Sequence, residues 1–412
     1  MNLARNYMNL KKSLSVLLAF LGLLVFVGAC SSNQVNEKGT GEKTEVAEAE
    51  QTPKDPLAEF DKEETAKLTA TARFLAGMEV KDYEPIAKMT ESGTWQNHAS
   101  YLNGAWSQLE DQQLSKAREW SKAELQAINA SSPPIFYPFS GPDFLYAFTL
   151  FPKGSEYVML ALEPVGEVPN LEELSEGERS TRLQGVVGAL SEILQFSFFR
   201  TNDMQVDLAK QGALPILLVF MARTNNQILE IQPIQMDKDG NIQPKGEGEA
   251  ASEDSNLIPG VKITFLPEGE SEPKTLHYFS TDISNEGLAK TPQLEGFVKQ
   301  LENPTTYLKA ASYLMYRDNF SQIRDLILNQ SNYLLQDDSG MPIKYVEEDK
   351  WDRKFYGNYT NPIGLFAERY QPDLRKVYQD DSSIKPLDFG IGYKFGVNES
   401  NLMLATKKDK PQ

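Results

Sequence analysis

Residues 131–162 read SSPPIFYPFSGPDFLYAFTLFPKGSEYVMLAL, and the character of the chain changes inside them. Ser131-Ser132-Pro133-Pro134 cannot continue a helix, because proline lacks the amide donor and its ring collides with the preceding turn. Beyond that break, the aromatic-rich apolar runs 144–151 and 157–162 flank Pro152-Lys153-Gly154-Ser155. Two short apolar runs around such a turn predict a β-hairpin.

Upstream of the break the periodicity is helical. Leu68, Ala72, Leu75 and Ala76 recur at helical spacing within 61–78. A second stripe, Trp95, Ala99, Leu102, Trp106 and Leu109, follows Thr94, which can cap it. Leu114, Ala117, Leu125 and Ile128 make a third.

Downstream, residues 171–199 form a long helical pattern with Leu183, Val186, Val187, Leu190, Ile193 and Leu194 on one face. The run LPILLVFM at 214–221 is short and uniformly apolar, and after a crossover helix it reads as a buried central strand. Pro215 is permitted at the start of such a strand. Further strand pairs are expected from 227–236 with the chain after Asn241, from 261–266 with 275–280, and from 389–395 with 401–405. Residues 288–301 and 320–335 read as helical, and 307–316 reads either way. The expected class is α+β, a helical N-terminal part followed by a mixed or antiparallel sheet with one long crossover helix.

The 412 residues carry 41 Lys+Arg against 58 Asp+Glu, a formal charge of −17, with two His and one Cys. An acidic chain argues against nucleic acid as a partner, since phosphate binding needs a basic surface. A single Cys excludes an intrachain disulfide and any Cys-rich metal centre. There is no H-E-x-x-H, no P-loop and no G-x-G-x-x-G, so no cofactor is implied. Gly185-Val186-Val187-Gly188 lies inside an apolar helical pattern and predicts close packing.

At the start of the chain, Arg5, Lys11 and Lys12 precede the uncharged run 14–27, which ends in Val27-Gly28-Ala29-Cys30. A basic segment, a short apolar run and small residues before a cleavage point describe a secretory signal peptide. The apolar run is shorter than the roughly 20 residues a membrane-spanning helix needs. These residues resemble the bacterial lipoprotein signal, with Val27, Gly28 and Ala29 in the lipobox positions and Cys30 as the lipidated residue. The resemblance implies that 1–29 is removed and that acyl chains on Cys30 anchor an exported lipoprotein to a membrane of the cell envelope. By the same resemblance, Ser31, where Asp would signal retention, slightly favours the outer membrane over the inner. Residues 31–56 carry few large apolar side chains, so 30–56 is expected to be the lipidated Cys and a flexible tether. Residues 57–412 form the α+β globular domain, with a possible subdivision at the polar loop 245–256.

Four prolines and a glycine stiffen the loop 133–143 and display Tyr137, Ser140 and Asp143. Rigid loops with such groups bind ligands, although a plain connection with Asp143 as a cap explains the same residues. Trp95 and His98 stand on the second helical stripe. His98 with Ser140 and Asp143 or Asp337 would make a nucleophilic set, but no G-x-S-x-G elbow accompanies it. In Gln336-Asp337-Asp338-Ser339-Gly340 the adjacent carboxylates suit a cation or acid–base chemistry, and equally a turn. Asp237-Lys238-Asp239-Gly240-Asn241 is similar to the start of a calcium loop, yet it lacks the twelfth-position Glu and reads better as a hairpin turn. The binding candidates are thus Trp95, His98, Tyr137, Ser140, Asp143, Asp337 and Asp338. The loop 133–143 with FLYA at 144–147, QDDSG at 336–340 and NLMLA at 401–405 resembles a group of uncharacterised bacterial exported proteins. That resemblance implies no activity. The expected function is a membrane-anchored envelope lipoprotein that binds a protein or small ligand, the alternative being an envelope hydrolase using Ser140, His98 and carboxylates.

Overall fold

The break at Pro133-Pro134 acts as its chemistry requires. The helix Gln126–Ser131 ends there, Ser132 takes a left-handed φ of 46°, and strand β1 (Ile135–Pro138) follows. The computed structural model describes residues 56–196, 212–245 and 257–408. The segment expected to be a signal, the expected tether up to residue 55, the end of the long helical pattern at 197–199, and 246–256 of the polar loop lie outside the described residues.

The fold is α+β. Before β1 stand the helices Lys62–Leu75, Glu84–Met89, Gly93–Leu109, Ser115–Glu124 and Gln126–Ser131, with a π-helical turn, Glu110–Leu114, joining the third to the fourth. Ten strands then form one mixed sheet among the described residues. They are β1, β2 (Glu156–Ala161), β3 (Asn226–Met236), β4 (Ile242–Pro244), β5 (Ile258–Pro267), β6 (Lys274–Ser280), β7 (Thr305–Leu308), β8 (Tyr333–Gln336), β9 (Trp351–Gly357) and β10 (Asn401–Lys407). Their order is β4-β3-β5-β6-β2-β1-β7-β8-β10-β9. The five central strands, β6-β2-β1-β7-β8, are all parallel, and both wings are antiparallel.

Strand alternation sorts the core onto the two faces of the sheet. Ile135, Tyr137, Tyr157, Met159, Leu276, Tyr278, Tyr307 and Leu335 pack with Leu68, Leu102, Leu190 and Leu217 of the helical layer. Phe136, Val158, Leu160, Phe279, Leu308 and Leu334 pack on the other side with Leu294, Val298, Ile323 and Ile327 from helices Gln293–Gln300 and Ser321–Gln330. Coverage on both faces explains why β1 and β7 are buried at every position.

Several local expectations need correction. Residues 144–150 are a helix, Phe144–Leu150, not the first arm of a hairpin, so β1 and β2 pair in parallel across it. Asp143 caps that helix by accepting the Tyr146 amide, and an unbroken apolar run carries no period that could have told helix from strand. LPILLVFM is likewise a helix, Leu214–Arg223, buried from Leu214 to Ala222, with Pro215 in its first turn, where proline is favourable. The helix Gly93–Leu109 is capped by Ser92 rather than Thr94. Helix Ser321–Gln330 stops at Ser331, and 333–336 is strand β8. The chain at 389–395 holds only an isolated bridge between Ile391 and Lys394; β10 pairs with β8 and with β9. The hairpin β3/β4 and the pair β5/β6 stand where periodicity puts them, and Gly240 closes the first with a φ of 83°. No helix among the described residues is long and apolar enough to cross a membrane.

Candidate functional site

The order of the parallel strands creates the site. From β1 the chain moves outward to β2 and then β6, and it returns to the other side of β1 for β7 and β8. The loops after β1 and β7 therefore part in opposite directions, and open α/β sheets bind ligands in the crevice this leaves at the carboxyl ends of the strands. A cavity of about 130 Å³ lies there. It is lined by Phe139, Ser140 and Asp143 after β1, Leu160 and Glu163 around the end of β2, and Lys309 after β7, among others.

The two loops that part are held in uncommon backbone conformations. Phe139 has a φ of 61°, and after β7 Ala310, Ser312 and Tyr313 have φ values of 50°, 53° and 55°. Left-handed non-glycine residues cost free energy and persist only where the surroundings impose them, which is why they gather at ligand sites. For the loop after β7 the imposing element is the turn after β8. Asp337 Oδ2 accepts the Ala310 amide at 3.1 Å, Ser339 Oγ accepts the Ala311 amide at 2.9 Å, and Ser339 O accepts the Tyr313 amide at 3.2 Å. Asp337 Oδ1 in turn accepts the Ser339 amide and hydroxyl, so the turn is itself rigid.

Beneath the crevice lies a buried ion pair. Lys309 Nζ sits 2.6 Å from Asp143 Oδ2 and 3.7 Å from the centre of the Tyr146 ring. Tyr137 donates to the same Asp143 oxygen at 2.9 Å. Burial pushes the Asp143 carboxyl up and the Lys309 amine down, each against the pull of its partner. Asp337 is pushed up to about 7, by burial first and then by the neighbouring Asp338 charge. Asp338 points elsewhere: its oxygens accept Tyr313 Oη at 2.7 Å and Asn401 Nδ2 at 2.8 Å, with Lys394 Nζ at 3.7 Å. Consecutive carboxylates thus serve two different clusters.

Tyr137, Ser140 and Asp143 come together at the crevice, and Asp337 and Asp338 brace its far wall. Ser140 directs both its amide and its hydroxyl at Leu160 O. Trp95 and His98 are placed differently. The helix Lys62–Leu75 ends with carbonyls that have no partner inside the helix. Trp95 Nε1 donates to Phe74 O at 3.0 Å, His98 Nε2 bonds Leu75 O at 2.8 Å, and Asn103 Nδ2 donates to Gly77 O at 3.1 Å. Arg223 reaches Ala76 O in the same way. Both candidates therefore cap a helix, and neither lines the cavity. Burial lowers the His98 pKa, which suits a neutral donor.

Sequence reasoning missed Lys309, Glu163 and the loop 310–313. The one available signal was a charged residue directly after Thr305-Thr306-Tyr307-Leu308, a segment of β-favouring residues. No group of three or more His, Cys, Asp or Glu side chains suited to a metal ion occurs among the described residues. Compared with known proteins, the chain matches no family model and no curated sequence.

Proposed function

We propose that the chain is an exported, membrane-anchored envelope lipoprotein whose α+β domain binds a small ligand in the crevice between β1 and β7. The observation that carries the binding reading is the cavity at the switch point, walled by two strained loops, of which the one after β7 is held in place by a rigid turn. Strain kept at such a site has a use when it pre-organises a surface for a ligand. The Val27-Gly28-Ala29-Cys30 segment supports the anchor, and Ser31 favours the outer membrane. A hydrolase would need a base against Ser140, whose hydroxyl is directed at Leu160 O, while His98 bonds Leu75.

Two measurements test the two halves. Lipid labelling of the wild type that vanishes in Cys30→Ala supports the anchor, and an unlabelled wild type overturns it. For the site, small-molecule binders of the full chain are mapped by hydrogen exchange. Protection of 139–143 and 309–314 supports the crevice as the binding site, and binders that protect only other segments overturn it.

A further inference from the structure

We infer that the crevice takes a small organic cation, an ammonium or guanidinium group on an apolar, ring-sized body, with Glu163 as its counter-charge. The inference rests on the crevice being a ligand site, and it names the chemistry of the ligand.

Glu163 stands just past the end of β2, lines the cavity and is only 7 % exposed. Buried carboxylates are ordinarily paired with a cation or held by strong donors. Among the described residues the Glu163 carboxylate is faced by its own main-chain N–H and that of Leu162, with the Tyr278 phenol nearby, and burial raises its pKa. No side chain among the described residues supplies the missing positive charge. Lys309, the one cation among the described lining residues, is committed to Asp143 and to the face of Tyr146. Asp282 at the rim adds a second carboxylate, held by the Ser284 amide and hydroxyl. Lys290, which comes within electrostatic reach of Asp282, is bonded to Glu286 at 2.9 Å.

The rest of the lining fits the body of such a ligand. Phe139, Leu160, Leu162, Ile283, Leu314 and Phe320 are apolar, and the Phe139 and Phe320 rings lie 5.8 Å apart at 59°. Aromatic faces attract cations through the ring quadrupole, and apolar walls exclude the water that would screen a carboxylate–ammonium bond. A cavity of about 130 Å³ admits a single ring, since benzene occupies a cavity of about 150 Å³ elsewhere. An anionic ligand would meet the Glu163 and Asp282 carboxylates, besides the paired Asp143, and no uncommitted cation among the described lining residues.

The test is calorimetric titration of the full chain with 2-phenylethylamine, its neutral analogue 2-phenylethanol and the anion 3-phenylpropanoate. The amine is expected to bind roughly tenfold or more tighter than the alcohol, as a charge-assisted hydrogen bond in a buried site provides. The carboxylate is expected to bind weakest. Glu163→Gln should remove the preference for the amine while alcohol binding persists, which also reports that the variant keeps its fold and cavity. Alcohol or carboxylate binding as tight as the amine leaves the crevice a ligand site and overturns the cation assignment. So does a lack of binding by all three when other small molecules still protect the crevice segments. If no molecule protects those segments, both readings fall.

Discussion

Lys309 Nζ lies 2.6 Å from Asp143 Oδ2, and both side chains are 2 % exposed. The pair ties the end of β7 to the loop that follows β1, across the point where the parallel strands change direction. It therefore closes the floor of the crevice with charges that neutralise each other.

Removing one partner of a buried pair leaves the other charged and unsolvated. Lys309→Met should cost about 3–5 kcal/mol in stability. Asp143→Asn in the Lys309→Met background should cost less than it does alone, because no lysine then remains to be orphaned. A double-mutant cycle by urea unfolding measures this coupling, and strictly additive losses would contradict it.

Asp337 has its pKa raised by burial to about 7, above its value in the unfolded chain. The folded state then holds the proton more tightly. Its contribution is present at low pH and is lost as pH rises from about 4 to about 7, at up to about 1.4 kcal/mol per pH unit. Asp337→Asn should remove that part of the slope. Urea midpoints at pH 5, 6, 7 and 8 for both proteins check it, and parallel curves would refute it.

His98 acts with the opposite sign. Burial lowers its pKa, so the folded state disfavours its protonated form. That contribution is present above the unfolded value of about 6.5 and is lost as pH falls below it. His98→Gln keeps a donor for Leu75 O and cannot titrate. The variant should lose less stability than the wild type between pH 7 and pH 5, and an equal loss would show that His98 is not the group responsible.

Gly392 has a φ of 60°, and a Cβ there would collide with Asp337 Oδ2. Gly392→Ala should cost about 1–2 kcal/mol for the left-handed backbone alone. It should also displace the carboxylate that holds the Ala310 amide, seen as faster hydrogen exchange at 310–313. Gly364→Ala, where nothing lies within 4 Å, is the control and should change neither quantity.

Much of the architecture was legible where local chemistry is unambiguous. The proline break at 133–134, the helical stripes before it and the Asp237–Gly240 turn each leave one backbone outcome open. The uniformly apolar runs were illegible for a physical reason. A helix buried on all sides, such as Leu214–Arg223, and a strand buried on both faces both need an unbroken apolar surface. Strand β9 was missed because the charged run Asp352-Arg353-Lys354 breaks the apolar alternation of Trp351–Gly357, which is only half-buried along one edge of the sheet.

The candidate site divides along the same line. Tyr137, Ser140 and Asp143 stood out because proline and glycine stiffen the loop that carries them. His98 and Trp95 stood out through their residue types, and they prove to satisfy the terminal carbonyls of a helix that precedes them in the chain. Lys309 and Glu163 carried no local mark, since a lone charged residue after a strand is ordinarily a surface residue.

By itself, then, the order of residues determined the proline break at 133–134, the Asp237–Gly240 turn and the helical N-terminal part, which follow from interactions between near neighbours, together with the acidic balance and the α+β class. Only the tertiary structure decided the strand order, and with it the crevice, the Lys309–Asp143 pair, the strained loop at 310–313 and the buried Glu163. These depend on which distant segments share the edge of one sheet. That choice is made by packing two helical layers on its faces, a property of the whole core that no local pattern encodes.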